Sequence, residues 1–110
     1  MGSRILVVHR ALDVAGVEQQ VASDGDAAIA LVEEQPFDAV VLDLSLPPLD
    51  GWCVLARLGA RTPRTRVIAA ASDARDVVRA RRLGAEVYLL PFSALGAVVC
   101  DTVATTAAVR

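Results

Sequence analysis

Residues 39–51 read Ala-Val-Val-Leu-Asp-Leu-Ser-Leu-Pro-Pro-Leu-Asp-Gly. The run from Ala39 to Leu42 is wholly apolar and stops at a lone carboxylate, Asp43, after which Pro47, Pro48 and Gly51 break regular structure. A strand inside a parallel sheet is covered on both faces, so its side chains need no polar alternation. Residues 39–42 therefore predict a central parallel strand with Asp43 at its carboxyl end. Open α/β sheets collect ligands and chemistry at that end. Asp43 is accordingly a candidate functional residue, and capping of the following loop is the competing explanation.

The same pattern recurs on both sides. Ile5 to Val8 is a short apolar run with Arg4 before it and His9 and Arg10 after it, and Val67 to Ala71 and Val87 to Leu90 predict two further strands. Helical signals fall between them. Ser23 or Asp24 caps a helix whose apolar face is Ala27, Ala28, Ile29, Leu31 and Val32, and Pro36 stops it. Trp52 to Leu58 turn Val54, Leu55 and Leu58 inward, and Gly59 ends that helix. Ser72 or Asp73 caps the next, with Val77, Val78 and Leu83 toward the sheet and Arg75, Arg79, Arg81 and Arg82 away from it. A last helix follows Pro91 and runs through Leu95, Val98, Val99 and Val103. Short strands alternating with helices predict an α/β fold in which helices cover both faces of a parallel sheet.

One segment does not fit that rhythm. Between Arg10 and Val17 stand only Ala-Leu-Asp-Val-Ala-Gly, whereas a parallel crossover usually takes a dozen or more residues. Extended, the eight residues from His9 to Gly16 still reach roughly 26 Å. Two readings are open: a stunted first helix followed by a strand over Val17 to Ala22, or a single helix from Arg10 to Val21 with no second strand.

At 110 residues the expectation is a single domain over 1–110. A net charge of −2 gives no long-range attraction to nucleic acid or anionic membrane. The arginines around the third helix alternate with Asp73, Asp76 and Glu86, as on a solvated face. No signal segment or membrane-length apolar run is present, which predicts a cytoplasmic protein. Cys53 and Cys100 lack metal-type spacing and are expected as unpaired thiols. Every one of the 11 basic residues is arginine.

The segment from Asp43 to Gly51, with Pro47 four residues and Gly51 eight residues after the acid, resembles the phosphoacceptor segment of response-regulator receiver domains. Ile5 to Val8, Ser23-Asp24-Gly25, Gly84-Ala85 and Pro91-Phe92 extend the resemblance over nearly the whole chain. It implies a flavodoxin-like (CheY-like) doubly wound sheet of order 2-1-3-4-5, here with a shortened first helix. It also implies a phosphoryl group taken onto Asp43 with a magnesium ion, which offsets the negative charge gathered there.

The family supplies two acids after strand one, a hydroxyl after strand four and a lysine before the proline after strand five. Here those positions hold His9 and Arg10, then Ala71 with Ser72 beside it, then Leu90. A guanidinium about 4 Å from the vacant cation position repels it by roughly 4 kcal/mol per unit charge at an effective dielectric near 20. The expectation is a degenerate pseudo-receiver: Asp43 as phosphoacceptor equivalent, no catalytic residue, no metal ligand, magnesium binding weak or absent, and Arg10 or His9 lying against Asp43 as counter-charge. Such a chain is not an enzyme and acts by protein contact with an unknown partner, without binding nucleic acid or membrane. The alternative is a phosphorelay receiver in which Asp43 still accepts phosphate slowly.

A flavodoxin-like small-ligand binder would need a glycine-rich loop after strand one, which is absent. A receiver's first and last helices share one face of the sheet, so a shortened first helix is expected to expose strands one and two. A homodimer sealed through Ala11 to Ala15 and Leu95 to Val103 would cover them.

Overall fold

The computed structural model describes residues 3–12, 14, 16–45, 50–60 and 65–101. The chain runs β1 (Ser3–Val8), β2 (Val17–Ala22), α1 (Gly25–Glu34), β3 (Ala39–Asp43), α2 (Asp50–Gly59), β4 (Val67–Ala70), α3 (Ala74–Arg82) and β5 (Glu86–Tyr88). A 3-10 turn, Phe92–Ala94, leads into α4 over 95–101. All strands pair in parallel in one five-stranded sheet of order β2-β1-β3-β4-β5. Ala15, Pro47, Pro48 and Val103, which carried parts of the sequence reading, lie outside the described residues, as does the Asp50 side chain.

Successive side chains of a strand point to opposite faces, so each strand feeds two cores. Leu6, Val8, Val40, Leu42, Val67 and Ala69 pack with Ala28 and Ile29 of α1, Val54, Leu55 and Leu58 of α2, and Ala80 of α3. Ile5, Val7, Ala39, Val41, Ile68 and Ala70 pack with Phe92, Leu95 and Val99 at the start of and along α4. Among the described residues three helices thus cover one face, while α4 is the helical cover of the other. Asp24 caps α1 by accepting from the Ala27 N–H at 2.8 Å, and Asp73 caps α3 through the Arg75 N–H at 2.7 Å. At the far end of α3, Gly84 takes φ +96°. The Gly84 N–H bonds the Arg81 carbonyl and the Ala85 N–H bonds the Ala80 carbonyl, the Schellman pair that lets a helix end on glycine.

The Arg75 N–H and side chain hold the Asp73 carboxyl below its ordinary value. A lowered folded-state value contributes stability above the unfolded value that is lost as pH falls through the folded one. Asp73→Asn keeps the cap without the titration, so its denaturation midpoint is expected to fall less than the parent's between neutral pH and about pH 3.

Several expectations change on the structure. β2 is present and in register with β1 from Ser3 opposite Val17 to Val8 opposite Ala22, which removes the single-helix reading of residues 10–21. Where the shortened first helix was expected, the described residues of the link from His9 to Gly16 contain no helical turn. Leu12 on this link is only 5% exposed and joins the second core, with Val14 packed against it. The anticipated bare face is thus covered over β1, where Ile5 and Val7 are fully buried, whereas Val21 of β2, in register with Val7, is 42% exposed. Val78 and Leu83 do not face the sheet but are 50% and 40% exposed, because Val77 and Ala80 hold the inward side of α3. β4 stops one residue short of Ala71, and β5 stops at Tyr88 rather than Leu90, leaving Leu89 and Leu90 outside the ladder.

Candidate functional site at the carboxyl edge of the sheet

The carboxyl ends of β1, β3, β4 and β5 meet at Asp43, which pairs in register with Ala70 of β4. Asp43 is the buried charged residue among those described, with a side chain 5% exposed. A carboxylate out of water needs partners on both oxygens. Oδ1 accepts from the Ser45 N–H at 2.9 Å and from the Ser45 hydroxyl at 2.5 Å. Oδ2 lies 3.5 Å from Nη2 of Arg10. Gly51 sits against the same corner: a Cβ added there would lie 3.1 Å from the Asp43 carbonyl oxygen and 3.3 Å from Cδ2 of Leu44. That close approach is the physical reason for glycine at this distance from the acid.

Arg10 reaches Asp43 because β1 ends in a sharp turn. His9 adopts φ +81°, a left-handed conformation in which histidine is enriched among non-glycine residues, and its N–H bonds the Ala22 carbonyl at 2.8 Å. The Arg10 guanidinium then lies over the Phe92 ring, 5.0 Å from its centroid, with the side chain 60% exposed. It therefore touches three parts of the chain: its own link, the end of β3 and the turn before α4.

Ala71 is buried, carries no hydroxyl, and donates its N–H to the Tyr88 carbonyl at 2.9 Å. Ser72, Leu90 and Ala71 line a cleft of about 380 Å³ together with Ser45, Leu89, Pro91 and Phe92. Asp43, Arg10, Ala71, Ser72 and Leu90, singled out in the sequence, are thus gathered at one corner, and His9 supplies the turn that leads into it. Ser45 and Phe92 were given no role there. The spacing of a hydroxyl two residues after an aspartate is the signal that marks Ser45 as its local hydrogen-bond partner, whereas the contact of Phe92 with Arg10 joins residues far apart in sequence. A second cleft, about 470 Å³, lies between Asp24, Asp26, Cys53 and Arg57, away from this corner. No helix among the described residues is long and apolar enough to cross a membrane.

The sequence pattern of the response regulator receiver domain matches residues 4–94. The chain is 33% identical over 89 residues to the transcriptional activator protein IrlR of Burkholderia pseudomallei, covering 79% of this chain and 39% of that protein. It is 39% identical over 79 residues to the transcriptional regulatory protein KdpE of Mycobacterium tuberculosis, covering 71% of this chain and 35% of that one. The chain thus spans little more than a third of either relative. A CheY-like receiver domain from Methanospirillum hungatei superposes with a TM-score of 0.76 at 18% identity, over 100% of both chains, which speaks for the fold. With the sheet order, the acid at the end of β3 and the glycine packed on its carbonyl, these matches place the chain in the response-regulator receiver family of two-component signalling.

Proposed function

We propose that this chain is a pseudo-receiver, acting by protein–protein contact without a magnesium-dependent phosphorylation cycle. The observation that carries the reading is the Arg10 guanidinium 3.5 Å from the Asp43 carboxylate. Moving a phosphoryl group onto a carboxylate concentrates negative charge, which a hard cation, a fixed ammonium and a hydroxyl must offset as it develops. Leu90 and Ala71 supply neither of the last two.

The donor set does not suit magnesium either. The ion asks for near-octahedral oxygen ligands with compensating charge. Here one carboxylate has Oδ1 engaged by Ser45 and Oδ2 facing Arg10, and among the described residues no group of three metal-binding side chains is found. Asp43 serves instead as the anion that Arg10 neutralises, tying the β1–β2 link to the end of β3.

A second reading, slow phosphoryl acceptance at Asp43, draws on Ser72, which lines the cleft beside Ser45. Incubation with acetyl phosphate and magnesium, followed by intact-mass measurement, separates the two. The expected mass is that of the unmodified chain, and a stoichiometric adduct on Asp43 would establish the second reading.

The contact partner is a protein in the cytoplasm, with a second copy of the chain as the first to test. Since Leu12 and Val14 pack over Ile5 and Val7, the dimer is reassigned to the exposed apolar side chains Val78, Leu83 and Leu89. Light scattering across micromolar concentrations is expected to show association that Val78→Asp weakens. A monomer throughout would leave that surface to a different protein. The arginines of α3 are not assigned to nucleic acid, because Asp73 and Asp76 at the start of the helix and Glu86 after its end are interleaved with them.

A further inference from the structure

Arg10 has a positional problem. Its side chain is 60% exposed although its partner Asp43 is buried, and ordering a long, largely solvated side chain opposes the contact. The contact with Asp43 does not hold itself in place, so the backbone that presents Arg10 must already be fixed. In an ordinary crossover a helix would do this, but the described residues of this link contain no helical turn.

The anchor is on β2. Oε1 of Gln19 accepts from the Leu12 N–H at 2.9 Å, and Nε2 of Gln19 donates to the Leu12 carbonyl at 2.8 Å. One planar amide thus makes with Leu12 the pair of bonds that a facing strand residue would exchange. It satisfies both backbone groups of a residue that has left the sheet, and it fixes the rotation of the link as well as its distance. Leu12 is then pressed into the core against the face carrying Ile5 and Val7. Arg10, two residues upstream, comes to lie between Asp43 and Phe92.

We propose that Gln19 is a positioning residue whose side-chain amide seats the β1–β2 link as an internal ligand of the sheet, so that Leu12 occupies the place of the missing helix and Arg10 is held over Asp43 as a built-in cation. The significance of Arg10 rests on the reading under Proposed function, while the linkage between Gln19 and Arg10 is measurable whether or not Asp43 takes phosphate.

The experiment is a double-mutant cycle on the full chain, with Gln19→Ala, Arg10→Met and both together, reading the unfolding equilibrium in urea. Arg10→Met is expected to shift the unfolding constant about fivefold in the parent and less than about twofold in the Gln19→Ala background, since residues that do not touch are coupled only through the element joining them. A second readout is the ring-current shift that Phe92 imposes on the Arg10 δ-methylene protons. It is expected to collapse in Gln19→Ala while the methyl signals of Val99 stay in place, a separation that simple loss of packing would not give.

Additive effects in the cycle, or an unchanged Arg10 shift once the Leu12 amide has lost its exchange protection, would overturn the proposal. Gln19→Asn, with an amide one methylene too short to keep both bonds, supplies the same two readouts should Gln19→Ala not fold. An acetyl phosphate adduct on Asp43 with the coupling intact would sink only the pseudo-receiver reading.

Discussion

Leu12→Ala is expected to destabilise the domain by about 2–5 kcal/mol, the range for truncating a leucine in a packed core. The side chain is only 5% exposed on a segment without helical structure, and it closes a face that otherwise rests on α4. A helix spreads such cover over several residues, so any one truncation there is shared among neighbours. Here, among the described residues, Leu12 carries the contact, with the half-buried Val14 beside it. The control is Val21→Ala on β2, at a side chain 42% exposed, which should change stability by less than about 0.5 kcal/mol. Urea denaturation of both variants decides the matter. A loss at Leu12 no larger than at Val21 would mean that the link lies loosely on the sheet.

Arg10→Asp tests the corner itself by exchanging the counter-charge for the acid that the receiver family places there. Without divalent ions the variant should be less stable by about 1–3 kcal/mol, because buried Asp43 loses its cation and gains a like charge nearby. Magnesium should recover part of that loss. A ligand that binds only the folded state adds RT ln(1 + [L]/Kd), about 2.7 kcal/mol at a hundredfold excess over Kd. The parent chain should be indifferent to the same titration, because the Asp43 carboxylate already faces a guanidinium at 3.5 Å. Thermal midpoints with and without magnesium provide the measurement. Equal stabilisation of parent and variant would show that Arg10 does not exclude the ion, and the pseudo-receiver reading would lose its support.

Much of this was legible in the linear chain because the signals involved are local. Four apolar residues ending at Asp43 and followed by proline and glycine mark a buried strand with an acid at its carboxyl end. Aspartates 24 and 73 mark helix starts because a short side-chain oxygen reaches the nearby N–H groups of the first turn. The spacing from Asp43 to Gly51 carries the family resemblance, and the proposal that His9, Arg10, Ala71 and Leu90 lack the family's chemistry starts from residue type alone.

The tertiary structure decided what depends on residues distant in the chain. No periodicity in residues 9–16 distinguishes a stunted helix from an extended link, because the link is held by the amide of Gln19 on the neighbouring strand rather than by its own backbone. Val78 and Leu83 read as inward by apolarity, but Val77 and Ala80 hold the inward side of α3. Where the chain leaves α3 it passes close to the end of α2: a Cβ on Gly59 would stand 2.9 Å from the Leu83 carbonyl oxygen. The meeting of Arg10 with both Asp43 and Phe92 likewise required three strand ends to be brought side by side. Local chemistry names the elements and the acid, whereas the identity of the group that neutralises it depends on how the link crosses the sheet.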